Sequence, residues 1–152
     1  MSTEARRRIG DGTMAIVTID GKRYSTHAEV LNGLFGKHYK CYQRAECNLG
    51  NGYSVWFPVV TNTTNPAHAI PAYNGWKNAL IKNDTEIHQY WPDPKDAIAQ
   101  TQNPPYKDIK RITFAKDSSG DKYVFIGVFE KIQNAPDHTV YKCIATQYPL
   151  PQ

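Results

Sequence analysis

The sequence predicts a small α+β domain: a single strongly curved, mostly antiparallel sheet curled into an open barrel, with one amphipathic helix near the N-terminus. Three observations carry this. Residues 109–130 hold two runs of β-branched and aromatic residues around a polar turn at Gly120, the pattern of a hairpin with a loop of roughly four or five residues. Similar short runs, each closed by Gly, Asn, Asp or Pro, recur along the chain and make roughly seven strands, whose many edges closure would hide. Only the segment from Thr26 to Gly36 combines helical periodicity with both a start and a stop signal.

Within 109–130 the second run is the more informative. Val124, Ile126 and Val128 alternate with Tyr123, Phe125 and Phe129, so both faces carry bulk and the strand is central, covered on both sides. Gly127 interrupts it where a glycine marks a bulge, a barrel corner or a close backbone approach.

The remaining elements follow in order. Residues 1–13, with Arg6, Arg7 and Arg8, read as a flexible basic arm, and the domain proper is expected over 14–148, with 149–152 as a tail. Met14–Ile19 and Lys22–Tyr24 around Asp20-Gly21 predict a hairpin with a tight type I′ turn. Thr26 and Glu29 form a capping box, Ala28, Leu31, Leu34 and Phe35 share one helix face, and Gly36 supplies the left-handed stop. So short a helix needs packing against a sheet. Tyr39–Cys47 reads as a strand, and Asn51-Gly52 as a second hairpin turn before Tyr53–Phe57, ended by Pro58. Residues 61–74, rich in Thr, Asn and Pro, read as a loop of the length that often carries function.

Residues 75–91 fit either a short helix at 75–82 or two strands around Lys82-Asn83-Asp84, with strand pairing favoured for Glu86–Tyr90. Prolines bracket 92–105, leaving room for a helical turn at Lys95–Gln100. Gln133–Asp137 reads as a turn and Val140–Thr146 as the last strand.

Composition narrows the function classes. The chain has 152 residues, enough for one core, and no apolar run near the roughly 18 residues that span a bilayer. No secretory signal pattern follows the first residues, and the three cysteines fit reduced thiols, so a cytoplasmic location is expected. His38, Cys41, Cys47 and Cys143 match no common zinc spacing, and neither a metal nor a cofactor is predicted. The acids Asp20, Asp84, Asp93, Asp117 and Asp121 are scattered through turns, which leaves a metal-dependent nuclease as the weakest reading. Neither a Gly-x-Ser-x-Gly elbow nor a Gly-rich phosphate loop occurs. The net charge of +4 is compatible with a polyanionic partner.

Aromatic residues beside polar and basic ones are the remaining signal, among ten tyrosines, five phenylalanines and three tryptophans. Trp56 lies in a strand, Trp76 stands beside Lys77 and Asn78, and Trp91 beside Tyr90. An indole near a loop, backed by an amide, can stack on a base and read its edge; the competing account is packing in the core. Tyr39, Lys40, Tyr42 and Arg44 interleave rings and cations in the same way.

The order Tyr39-Lys40, Arg44-Ala45, Val55-Trp-Phe-Pro58, Gly75-Trp-Lys-Asn78, Arg111-Ile-Thr-Phe-Ala-Lys116 and Tyr123-Val-Phe-Ile-Gly-Val-Phe129 resembles a prokaryotic β-domain. That domain is found attached to HNH nucleases, helicases and other restriction or phage-defence proteins, and is similar in layout to PUA/SRA-like barrels. The resemblance covers roughly residues 36–146 and implies recognition of nucleic acid, DNA more than RNA, sometimes through a flipped, modified base held in an aromatic pocket. It implies stacking or base contact from Trp56, Trp76, Asn78, Tyr90 and Trp91, and phosphate contact from Lys40, Arg44, Lys77, Arg111 and Lys116. A partner nuclease or other defence protein is a further expectation. The alternative from a different class is a protein-interaction module of a defence or counter-defence system, its exposed aromatics serving as hot spots.

Overall fold

Lys110–Asp117 (β8) and Tyr123–Asn134 (β9) form the hairpin at the centre of the fold, paired from Lys110↔Glu130 to Lys116↔Tyr123. The computed structural model describes residues 16–72, 75–91, 109–134 and 138–150. The other elements among these are β1 Val17–Thr18, β2 Arg23–Tyr24, α1 His27–Phe35, β3 Glu46–Asn48, β4 Tyr53–Trp56, β5 Val59–Asn62, a 3-10 turn at Pro66–His68, β6 Lys77–Ile81, β7 Glu86–Tyr90, β10 His138–Ala145 and β11 Gln147–Tyr148. The expected arm at 1–13 and the turn at Lys95–Gln100 lie outside the described residues.

The sheet runs β9-β10-β7-β6-β5-β8 and returns to β9, so the barrel expected to be open is a closed ring of six strands. Closure follows from the length of β8. Its first half pairs with β4 and its end pairs with β5, the two partners being separated by Phe57-Pro58, where the proline cannot continue a ladder. β5 then bridges to β6, and β4–β8, β5–β8 and β5–β6 are the parallel pairings in a mostly antiparallel sheet. β3 and β4 extend the sheet beyond β8, and β2 beyond β9.

Two cores lie on the two faces of this sheet. Val60, Leu80, Ile87, Ala115, Phe129 and Tyr141, one from each ring strand, pack with Trp56 inside the barrel. On the outside, Val30, Leu31 and Phe35 of α1 pack against Ile112, Phe114, Phe125 and Val128. The helix forms where the sequence places it. Glu29 N–H donates to Thr26 Oγ1 at 3.1 Å, the Glu29 carboxylate accepts from Ser25 N–H at 3.2 Å, and Gly36 ends the helix at φ +68°.

Gly127 is a close approach as well as a bulge site. A Cβ there would lie 2.7 Å from Cys143 Sγ and 3.0 Å from Ala145 O, at φ +138°. The β8–β9 and β9–β10 ladders both shift register nearby.

Four expectations need correction. The hairpin expected over Met14–Tyr24 does not form in its described part: no turn closes at Asp20-Gly21, where Lys22 N–H donates to Asp20 Oδ1 at 2.9 Å, and β1 pairs with β11 and β2 with β9. β2 thereby joins the nine-stranded sheet, while β1 and β11 make a separate two-stranded one. The expected strand over Tyr39–Cys47 begins only at Glu46; at its start, Asn32 of α1 takes both backbone groups of Tyr39 at 2.8 and 2.9 Å, in place of ladder bonds. The expected loop 61–74 begins as strand β5. Finally, Gln133 and Asn134 continue β9 where a turn was expected, residues 135–137 lying outside the described set.

Candidate nucleic-acid interface

Strand alternation carries polar side chains onto inward positions just past the apolar layer of the barrel. Asn78 precedes Leu80 on the inner face of β6, Gln89 follows Ile87 on β7, and Lys131 follows Phe129 on β9. With Trp56, Arg111 and Tyr141 they line a cavity of about 450 Å³. Trp76, half-buried just before β6, is part of its wall.

Two hydrogen-bond systems organise the cavity. Asn78, only 4% exposed, donates from Nδ2 to Val59 O at 3.0 Å and accepts from Gln89 Nε2 at 2.9 Å. Arg111 donates from Nε to Glu46 Oε2 at 2.9 Å, the Ser54 hydroxyl donates to the same oxygen, and the guanidinium lies 5.3 Å from the Trp56 ring and 4.7 Å from that of Tyr141. Burial opposes the Arg111 charge, but the Tyr141 oxygen and the Glu46 carboxylate outweigh it and raise the pKa further. Burial raises the Tyr141 phenol above its ordinary value.

The first residue of α1 completes the wall on the outer side. His27 stacks on Phe57 at 4.1 Å between ring centroids, donates from Nδ1 to Arg44 O at 2.9 Å, and accepts the Tyr123 hydroxyl at Nε2, 2.8 Å away. The Arg44 carbonyl fixes this neutral tautomer. Burial holds the imidazole pKa below its ordinary value, and Lys116 adds to the lowering against the Arg44 bond.

The residues expected at a base-binding site divide. Trp56, Trp76 and Asn78 meet at the cavity; Tyr90 and Trp91 are half-buried and are not among its lining, Tyr90 stacking on His138 at 4.6 Å. Of the expected phosphate contacts, Lys40 and Arg44 are exposed on the segment between α1 and β3, whose Gln43 and Ala45 reach the cavity. Lys77 and Lys116 are half-buried, the latter 5.5 Å from the Tyr123 ring. Arg111 is a correction: at 8% exposure, with its charge paired to Glu46, it belongs to the cavity wall and not to a phosphate-facing surface.

Sequence reading missed His27, Glu46, Gln89, Tyr123, Lys131 and Tyr141. Gln89 was within reach of it, since alternation in Glu86–Tyr90 puts Gln89 on the face of Ile87. Glu46 and His27 were not, because only the tertiary fold brings them to the cavity. Among the described residues there is no cluster of three His, Cys, Asp or Glu that could hold a metal, and no helix long and apolar enough to cross a membrane.

A closed six-strand ring with one helix packed on its outer face is a PUA/SRA-like barrel. The family model of the SRA domain (SET and RING associated domain) matches residues 14–150, and the chain belongs to that family. Among solved structures it is similar to the 5-hydroxymethylcytosine-specific restriction enzyme AbaSI, with a TM-score of 0.68 and 22% identity over 100% of this chain and 49% of that one. At that identity the likeness speaks for the fold, and this chain spans about half the length of the AbaSI chain. No curated protein matches the chain significantly.

Proposed function

We propose that the protein binds DNA and takes a modified cytosine, turned out of the duplex, into the mouth of its barrel, as the reading step of a restriction-type system. The observation that carries this is the cavity itself. Trp56 and Trp76 stand in its wall beside the oriented amides of the Asn78–Gln89 pair, in a chain of the SRA family. Its volume of about 450 Å³ falls within the usual range for small-ligand sites. Stacking contributes about 1–3 kcal/mol per base, comparable to the cost of unstacking, so hydrogen bonds decide which base stays.

Affinity without sequence information comes from cations near the rim. Lys40 and Arg44 are exposed on the segment that reaches the cavity through Gln43 and Ala45. From AbaSI, a larger restriction enzyme, we carry over the class of modified cytosine and the expectation that a nuclease acts with this domain.

Gel retardation with plain, methylated and hydroxymethylated duplexes and with single strands tests the reading. A modified duplex is expected to bind tightest, salt to weaken every complex, and Trp76→Ala to remove the preference. Equal binding of plain and modified duplexes, or binding that survives high salt and ignores Trp76→Ala, would overturn it. No retardation of any DNA would favour the protein-interaction alternative.

A further inference from the structure

The charges lining the cavity do not balance. One carboxylate, Glu46, stands among two cations, Arg111 and Lys131. Glu46 Oε2 already accepts from Arg111 and from the Ser54 hydroxyl. His27, also in the wall, has its imidazole pKa lowered by burial, so it adds little positive charge at neutral pH.

Lys131 is left over. It enters the wall from β9 directly across from Tyr141, whose ring lies against the Arg111 guanidinium. It is half-buried, and among the described residues its ammonium has no hydrogen-bond acceptor and no carboxylate partner. Burial, and then the charge of Arg111, push its pKa below the usual lysine value. A neutral ligand filling the cavity would take water from this ammonium and return nothing, whereas an anion would compensate it.

We propose that the base taken into the cavity carries an anionic oxygen substituent, a carboxylate such as that of 5-carboxylcytosine, and that Lys131 selects it. This rests on the base-binding reading above. A backbone phosphate offers the same anionic oxygens, so the experiment must separate the two sources.

Equilibrium binding is measured by fluorescence anisotropy on four duplexes that differ at one cytosine: unmodified, 5-methyl, 5-hydroxymethyl and 5-carboxyl. The wild-type protein is expected to bind the 5-carboxyl duplex roughly tenfold more tightly than the 5-methyl duplex, the size of one hydrogen bond to a charged group. Lys131→Met, checked for folding by urea unfolding, should bring that ratio close to one, and Lys131→Arg, which keeps the charge, should retain it. The inference is overturned if the wild type shows no preference for the carboxyl duplex, or if Lys131→Met keeps the preference. A uniform weakening of all four duplexes by Lys131→Met, at an unchanged ratio, would place the lysine on a phosphate and also overturn it. Methyl and hydroxymethyl duplexes bound above the unmodified one, with no gain for carboxyl, would leave the base-binding reading standing and remove only this inference. If all four bound alike, both would fall.

Discussion

Gln89 and Asn78 face each other across the β6–β7 ladder, and the Gln89 amide donates to the Asn78 side-chain carbonyl at 2.9 Å. Because Asn78 Nδ2 donates to Val59 O, both amides are oriented, and the Gln89 carbonyl oxygen is left to accept from a ligand amino group. Asn78→Asp would set a buried acceptor against the Val59 carbonyl. It should lower stability by about 2 kcal/mol in urea unfolding, with loss of preference for modified DNA.

Arg111 and Glu46 form the cavity's ion pair. Arg111→Met keeps apolar bulk against Trp56 and Tyr141 but strands the carboxylate. Breaking a buried pair from one side costs about 3–5 kcal/mol, and the 30% exposure of the Glu46 side chain places this case at or below the lower end. The double variant Arg111→Met/Glu46→Gln should recover part of the loss, a coupling that a double-mutant cycle in guanidinium measures.

Gly127→Ala meets two obstacles at once, a backbone at φ +138° and a Cβ position 2.7 Å from Cys143 Sγ. A loss of roughly 2–4 kcal/mol is expected. Adding Cys143→Ala should return only the clash with the sulfur, since the backbone strain and the approach to Ala145 O remain; thermal unfolding of the single and double variants separates the sulfur clash from the rest.

Stability should depend on pH through His27. Its folded pKa lies below the unfolded value of 6.5, so the unfolded chain binds the extra proton first as pH falls. The stability present above 6.5 is therefore lost as pH drops toward the folded pKa. His27→Gln should flatten the unfolding free energy over that window. Glu86, whose pKa is lowered first by the His88 hydrogen bond, contributes in the same direction as pH falls below its ordinary 4.5.

Lys40→Ala and Arg44→Ala should weaken plain and modified DNA by equal factors. If each meets one phosphate, the double variant lowers the slope of log K against log salt by roughly 2, at about 0.9 per contact. A titration series across salt concentrations reads this directly.

The fold was legible wherever local rules and tertiary outcome agree. The Thr26–Gly36 helix, the β8–β9 hairpin, the Asn51-Gly52 turn and the close approach at Gly127 all follow from capping, alternation and glycine geometry. Met14–Tyr24 was misread because Asp-Gly is a strong turn signal taken locally, and nothing local says that β1 pairs with β11. Ring closure was hidden for a similar reason: it depends on Pro58 splitting one extended stretch so that both halves border β8.

Trp56, Trp76 and Asn78, each an aromatic or amide near a strand end and singled out by local pattern, line one cavity. Local pattern misplaced Arg111, since an arginine opening a strand reads as surface until its partner is known. That partner, Glu46, lies 65 positions away. Lys131 and Tyr141 were passed over because, in sequence, they are ordinary members of long strands.

The pairing of β1 with β11 brings Val17 beside Tyr148, so chain entry and chain exit leave the barrel side by side. A module fastened in this way can be spliced into a surface loop of another protein without prying its ring apart.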